Sequence, residues 1–309
     1  MGETGRLVAR LAGRGTVTPA SMPRVALITS EGFRDLYPDD RLLVAALAEI
    51  GVSAVPAVWS RDHIDWSSFD ALVMRSPWDY FERPVEFRKW LDARIASGVT
   101  LVNAREIIDW NFDKSYLQDL AEAGVELVPT ICIARGENAD VVALARARGW
   151  SDIVVKPTIG GGGYRCDRFR LDEYPRYAGE IARTLEDRGV LVQPFLPEIM
   201  TGGELSLLFF DGVYSHAVCK RPKAGDYRVQ FQYGGTNENV EVSETLVEQA
   251  HVCIEHAPAL PAYARVDGVV KDGRFLLMEL EVFEPLMFLE RHPEAAGRFA
   301  RAIAKRLPR

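Results

Sequence analysis

Two strand-like runs flank the dipeptide Asp272-Gly273, and this pair constrains the chain more than any other feature. Asp-Gly between alternating runs closes a tight antiparallel hairpin, because both turn positions need positive φ. Ala264–Val270 and Phe275–Val282 must then lie side by side. Residues two apart on a strand share a face. Glu279 and Glu281 therefore point the same way, and the turn folds Asp267 back beside them. Three carboxylates so gathered repel one another unless positive charge lies between them. A hard divalent cation with oxygen ligands, bridging to phosphates, answers that need. Arg265 is on the same face as Asp267, where a fixed guanidinium can stabilise charge developing in a transition state. The plain alternative is a solvated edge hairpin, since alternation alone also puts charge there.

A second Asp-Gly pair, Asp211-Gly212, joins Leu205–Phe210 to Tyr214–Cys219. Strands are expected at Val128–Ile133, Ile153–Thr158 and Cys166–Leu171, with helices at Asp113–Gly124, within Leu171–Gly189 and over 291–307. The chain beyond about residue 113 is thus expected to be α+β with antiparallel sheets. Before it, strand and helix alternate: Arg24–Ser30, then helix Asp39–Gly51, strands Val52–Val58 and Ala71–Met74, helix Pro84–Gly98 and strand Thr100–Val102. That order predicts a small parallel α/β domain. Ligands gather beyond the carboxyl ends of such strands. Glu31 and the segment Arg75–Tyr80 lie at two of those ends. Glu31 and Arg75 are therefore candidate partners for a substrate's amine and carboxylate, with Trp78 as a wall; a buried salt bridge and ordinary packing is the competing reading.

Composition narrows the classes further. The 309 residues carry 44 acidic and 37 basic side chains, a net charge of −7 that is scattered rather than blocked. A sequence-independent nucleic-acid binder needs a dominant basic surface, which this is not. Cys132, Cys166, Cys219 and Cys253 form no CxxC pair, and the five histidines are dispersed, so reduced thiols in a cytoplasmic protein are expected and a zinc site is not. No run reaches the roughly 18 apolar residues of a membrane helix. Residues 1–21 have no continuous apolar core and are expected to be a disordered extension.

Lys156 ends an apolar strand and precedes Gly160-Gly161-Gly162-Gly163. Four glycines can form a mobile loop whose amides wrap phosphate oxygens. A Walker P-loop is excluded, because the lysine comes first and no GK[ST] follows. A flexible hairpin tip is the alternative on these residues alone.

Taken in order, these segments resemble the ATP-grasp superfamily, in its glutathione-synthetase-like and ribosomal-protein glutamate-ligase-like branch. The resemblance runs from about Trp110 to Leu289. It implies that Lys114, in Asn111-Phe112-Asp113-Lys114, and Lys156 are the ATP lysines, with Gly161, Gly162 and Gly163 in the phosphate-covering loop. Val192-Gln193-Pro194-Phe195-Leu196 resembles the adenine hinge, so Gln193, Phe195 and Leu196 are implied there, and Glu204 as the ribose acid. Arg228, in the run from Lys223 to Gly235, is implied on the ATP phosphates, Arg265 on the oxyanion, and Asp267, Glu279 and Glu281 on magnesium, with manganese as a substitute. Two positions depart from the family. Glu281 replaces the usual asparagine of the ExN motif and adds a charge. Ser206 stands where the family has an arginine, which leaves one expected cation unassigned.

The resemblance implies an N-terminal α/β domain over 22–112 and two α+β subdomains, 113–190 and 191–309, enclosing ATP. It also implies an ADP-forming carbon–nitrogen ligase with an acylphosphate intermediate, and family analogy suggests a homodimer. The segments RSPWDY, QPFLPEI, GELSLLFFDG, KRPKAGDYRVQ and MELEVFEPLMFL are similar to a subgroup that includes the cyclo-ligase of D-cycloserine biosynthesis, which closes O-ureido-D-serine. An amino-acid or dipeptide ligase and a non-catalytic ATP-binding module are the alternatives; the latter would be marked by loss of Arg265 or the carboxylates, all of which are present.

Overall fold

In the computed structural model, which describes residues 22–308, three sheets follow one another along the chain. The expectation for residues 1–21 lies outside the described residues. The first sheet is parallel, in the order β2-β1-β3-β4, built from β1 (Arg24–Thr29), β2 (Ser53–Val58), β3 (Ala71–Ser76) and β4 (Thr100–Leu101). Helices α1 (Pro38–Glu49) and α2 (Pro84–Ala96) make the crossovers, each with proline in its first turn, where a missing N–H costs nothing. β1 and β3 are buried almost throughout, which is why they read as unbroken apolar runs.

Two short helices, α3 (Arg105–Asn111) and α4 (Tyr116–Glu122), lead out of this domain. The helix expected from Asp113 begins only at Tyr116. The Asp113 carboxylate accepts from the Ser115 amide at 2.9 Å, and the Lys114 amide donates to the Thr158 carbonyl at 2.8 Å, so local bonds win over helix here.

The second sheet has the order β5-β8-β6-β7, from β5 (Ile131–Ile133), β6 (Asp152–Pro157), β7 (Asp167–Arg170) and β8 (Val190–Pro194), all antiparallel. Helices α5 (Val141–Ala147) and α6 (Tyr174–Asp187) share its core. The boundary expected at residue 190 falls at the start of β8, an interior strand of this sheet.

After the four-residue helix α7 (Glu198–Thr201) comes the third sheet, β11-β10-β9-β12-β13. It comprises β9 (Glu204–Phe210), β10 (Val213–Arg221), β11 (Thr236–Val240), β12 (Tyr263–Lys271) and β13 (Arg274–Glu281), antiparallel throughout. Both Asp-Gly turns adopt the conformation the sequence requires, with φ of 55° and 75° at Asp211-Gly212 and 51° and 78° at Asp272-Gly273. Helix α8 (Glu244–Glu255) packs on this sheet through Ala250, Cys253 and Ile254. The last helix, α9 (Ala295–Ala304), returns to the first domain. Its Phe299 and Ile303 join Leu43 and Leu47 of α1 and Phe210 and Tyr263 of the third sheet in one core. The four cysteines are unpaired, and no helix among the described residues is long and apolar enough to cross a membrane.

One buried group ties this core to pH. The His216 ring on β10 lies within hydrogen-bond distance of the Phe288 carbonyl through Nε2 (3.2 Å) and of the Ser215 hydroxyl through Nδ1 (3.0 Å). A carbonyl only accepts, so Nε2 carries the hydrogen and Nδ1 accepts from the hydroxyl. Burial pushes the pKa of His216 down to about 4. The unfolded chain therefore binds this proton more readily, and the stability it carries is present above the ordinary histidine range and lost as pH falls toward 4. Urea midpoints of His216→Asn should fall less steeply than the wild type's between pH 6.5 and 4, by up to about 3 kcal/mol across the window. Parallel curves would show that His216 does not carry the acid limb.

Candidate active site

A cleft opens between the second and third sheets, walled by β6, β8 and the glycine loop on one side and by β9, β12 and β13 on the other. The register across the last hairpin sets its floor. Asp267 faces Glu279, and Arg265 faces Glu281. Both pairs face the cleft, as the two-residue spacing predicts.

The carboxylates do not gather around one point. Among the described residues no three acidic, histidine or cysteine side chains are arranged as ligands of a single ion. Each carboxylate has instead turned to a protein cation. Arg265 holds Asp267 (2.9 and 3.0 Å) and also Glu281, and donates to the Leu286 carbonyl at 3.0 Å. Lys114 bonds Glu279 at 3.2 Å and the Gly160 carbonyl. Burial works to raise the Asp267 carboxyl, but Arg265 and Lys220 outweigh it and hold it well below its usual range. Glu281 has less compensation, and burial beside Glu279 and Asp267 pushes it up to about 8.

Lys220 is the residue the sequence reading left unassigned. It sits opposite Glu204 in the β9–β10 register and is bonded to it, and its Nζ reaches Asp267 at 3.0 Å. The bridge crosses β9 beside Ser206, whose hydroxyl also donates to Asp267 at 2.6 Å. A serine at this position is small enough to let the lysine pass. The cation missing from β9 is thus supplied by β10. Burial disfavours the charge on Lys220, yet Asp267 and Glu204 hold its pKa above the ordinary lysine value. Its signal was a polar residue closing an apolar strand opposite an acidic one, legible only once the hairpin register was written out.

The Asn111–Lys114 run has a structural reason. The Asn111 side chain pairs with the backbone of β13 on both sides, donating to the Leu280 carbonyl (2.7 Å) and accepting from the Val282 amide (3.1 Å). The Tyr116 hydroxyl does the same at Leu280. These bonds fix Lys114 against Glu279.

Side chains fit poorly in the glycine loop, where Gly162 and Gly163 have positive φ of 59° and 78°. A Cβ on Gly161 would come within 3.3 Å of Phe81, one on Gly162 within 2.9 Å of Gln232, and one on Gly163 within 3.0 Å of Tyr233. Arg188 ties the loop's base to the first domain, donating to the Ile159 carbonyl at 2.8 Å and the Phe81 carbonyl at 2.7 Å. Lys156 lines the cleft, and among the described residues no carboxylate comes within salt-bridge distance of it. Arg228 also lines the cleft, but its guanidinium is held by Asp226 (3.0 and 2.8 Å) and stacked on Tyr233. Gln193, Phe195 and Leu196 line the far end, where Arg168 stacks on the Phe195 ring.

The substrate expectations in the first domain need correction. Glu31 lies at the surface, paired with Arg61 at 2.6 Å, and does not line the cleft. Arg75 is wholly buried, because it extends the buried strand β3. Its guanidinium is held by Asp40 (2.8 Å) and donates to the Pro285 carbonyl (2.9 Å), so it has no surface to offer a ligand. Trp78 donates to the Glu284 carbonyl at 3.0 Å and packs edge-on against Phe33 and Tyr37.

Comparison with known proteins decides the family. Residues 25–103 match the N-terminal domain of D-cycloserine synthetase DcsG, and residues 119–266 match the ATP-grasp domain of prokaryotic glutathione synthetase. The cycloserine biosynthesis protein DcsG of Streptomyces lavendulae is 31% identical over 299 residues, covering 92% of this chain and 98% of that one. The chain belongs to the D-cycloserine synthetase family of ATP-grasp ligases. A glutathione synthetase of Parasynechococcus marenigrum is 29% identical over 67% of this chain and 64% of its own. The crystal structure of D-cycloserine synthetase DcsG superposes with a TM-score of 0.84, covering 92% of this chain and all (100%) of that one. A D-alanine–D-alanine ligase from Bacillus anthracis, complexed with ATP, shares the fold at 18% identity, with a TM-score of 0.63 over 92% of this chain and 97% of that one. As a family member the chain is an ATP-dependent, ADP-forming carbon–nitrogen ligase acting on a small molecule.

Proposed function

We propose that this ligase uses Mg-ATP to close O-ureido-D-serine, the reaction of the cyclo-ligase subgroup that its sequence resembles. The observation that carries the reading is the face of the last hairpin, where Arg265, Asp267, Glu279 and Glu281 meet Lys114 and Lys220 across one cleft. Family kinship at 31% identity along nearly the whole chain supports the substrate.

Adenine would lie at Gln193–Leu196. There the Phe195 amide is taken by the Asp152 carbonyl, while the Leu196 amide has no partner among the described residues and remains for a ring nitrogen. Glu204 would hold the ribose, Lys114, Lys156 and Arg228 would face the phosphates, and the glycine loop would cover them. The donor set at Asp267, Glu279 and Glu281 is carboxylate oxygen only, which fits magnesium. When bound, magnesium supplies charge neutralisation for the outer phosphates. Lys114, Lys220 and Arg265 pair with these carboxylates, and Lys114 is the cation that phosphate would draw away.

The substrate carboxylate attacks the γ-phosphorus, ADP leaves, and an acylphosphate forms. Positioning and charge neutralisation carry most of that step. The ureido nitrogen bonded to oxygen then attacks the carbonyl carbon, loses its proton and expels phosphate. Arg265 stabilises the tetrahedral oxyanion. Hydrolysis of the remaining N-carbamoyl group as carbamate leaves the isoxazolidinone. Closure of the Gly160–Gly163 loop keeps water from the acylphosphate.

ADP release should require Mg-ATP and O-ureido-D-serine together, and mass spectrometry should find the ring. Asp267→Asn should abolish both signals. ADP release dependent instead on a pair of amino acids, with a peptide as product, would replace the cyclisation with an intermolecular ligation.

A further inference from the structure

Four carboxylates line the cleft, Glu204, Asp267, Glu279 and Glu281, and a fifth, Glu284, stands beside it behind the glycine loop. Four of them have a lysine or guanidinium partner within hydrogen-bond distance. Glu284 has none within 4 Å among the described residues; burial raises its pKa above the ordinary glutamate value, against the Tyr80 hydroxyl beside it and the charge of Lys114. It lies three residues beyond Glu281, where the third sheet meets the first domain and the glycine loop. A Cβ built on Gly161 would stand 4.0 Å from its Oε1.

The backbone carrying Glu284 is held at three consecutive carbonyls. The Tyr263 hydroxyl donates to Phe283 at 3.0 Å, Trp78 Nε1 to Glu284 at 3.0 Å, and Arg75 to Pro285 at 2.9 Å. Arg75 and Trp78, expected from sequence to touch substrate, thus hold the segment that carries this side chain. Four paired side chains and a backbone fixed on three bonds leave one carboxylate without a cation, against Gly161 at the edge of the cleft.

We infer that Glu284 is the specificity residue that receives the substrate's α-ammonium group. The inference deepens the proposed reading and rests on it. An amino-acid substrate activated at its carboxylate brings a positive charge next to the reacting carbonyl. A carboxylate at that place keeps the amine protonated, and so not nucleophilic, while the ureido nitrogen attacks. Because Gly161 lies over Glu284, ammonium binding and closure of the glycine loop occur at one spot.

The test compares O-ureido-D-serine with its des-amino analogue, 3-(ureidooxy)propanoate, by calorimetry on the Mg-ADP complex of the full chain. A hydrogen-bonded, partly desolvated charge pair corresponds to about ten- to a hundredfold in affinity. The wild type should prefer the aminated compound by that factor, and in Glu284→Gln the preference should collapse toward one. Equal affinity of the wild type for the two compounds, immeasurable affinity included, overturns the inference, and this arm needs no variant. A preference that survives in Glu284→Gln overturns it as well. A dependence on magnesium concentration that shifts in Glu284→Gln, with the preference intact, would make Glu284 a metal ligand instead. Tight, amine-dependent binding without turnover leaves the ammonium site standing and overturns the cyclisation.

Discussion

Arg265→Ala should lower kcat by about a hundredfold to a thousandfold, the usual cost of one oxyanion donor. The affinity for ATP should change far less. Four of the five Arg265 N–H groups are taken, by Asp267, Glu281 and the Leu286 carbonyl, and the fifth, on Nη1, is left to donate. A fork fixed on three acceptors is already oriented, so little reorganisation accompanies charge development at the carbonyl. Arg265→Lys keeps the charge but not the fork, and should recover only a small part of the rate. Single-turnover ADP and product measurements separate the two steps. If the arginine acts on the oxyanion, Arg265→Ala should release ADP in excess of ring product, because the acylphosphate outlives its chance to cyclise. Unchanged kcat, or ADP and product falling strictly together with ATP affinity, would place Arg265 among the structural groups.

Lys220→Met should destabilise the fold strongly. Lys220 is buried and is bonded to two buried carboxylates, Glu204 and Asp267. Removing one partner of a buried pair leaves an uncompensated charge, which costs about 3–5 kcal/mol. Chemical denaturation of the ligand-free protein should show a loss of that size, and ATP affinity should fall with it. Glu204→Gln in the same chain removes one orphaned charge and should restore part of the stability, a coupling that distant sites do not show. Additive losses would mean that Lys220 and Glu204 act independently.

Much of the architecture was legible because a few residues dictate backbone geometry. The two Asp-Gly turns fixed both hairpins, and with them the face that carries Arg265, Asp267, Glu279 and Glu281. Buried β1 and β3 read as apolar runs, a proline marked the start of α2, and Asp39 and Asp40 marked the first turn of α1. Other elements gave weaker signals. β11 is the polar, largely exposed edge strand Thr236–Val240, which owes its form to pairing with β10 rather than to its own pattern. α8 was not among the expected helices, although Ser243 caps it by accepting from Leu246 and apolar residues follow at helical spacing. α5 was likewise not expected, although Asp140 caps it.

The sequence by itself determined that Arg265, Asp267, Glu279 and Glu281 share one face, because strand alternation and turn chemistry are local. It determined the fold family through the order of its motifs, and the two departures at Ser206 and Glu281 were visible in the same residues. Which charge meets which was settled by the tertiary structure. Arg75 and Glu31 both follow strands whose ends should face a ligand, yet one is buried on Asp40 and the other lies exposed on Arg61. Lys220 reaches Asp267 only because β9 lies between β10 and β12 and carries serine at the crossing. Long side chains choose partners across sheets and between domains, over distances that no spacing in the sequence encodes. The pairing left over from that choice, a carboxylate at Glu284 without a cation, exists only in three dimensions.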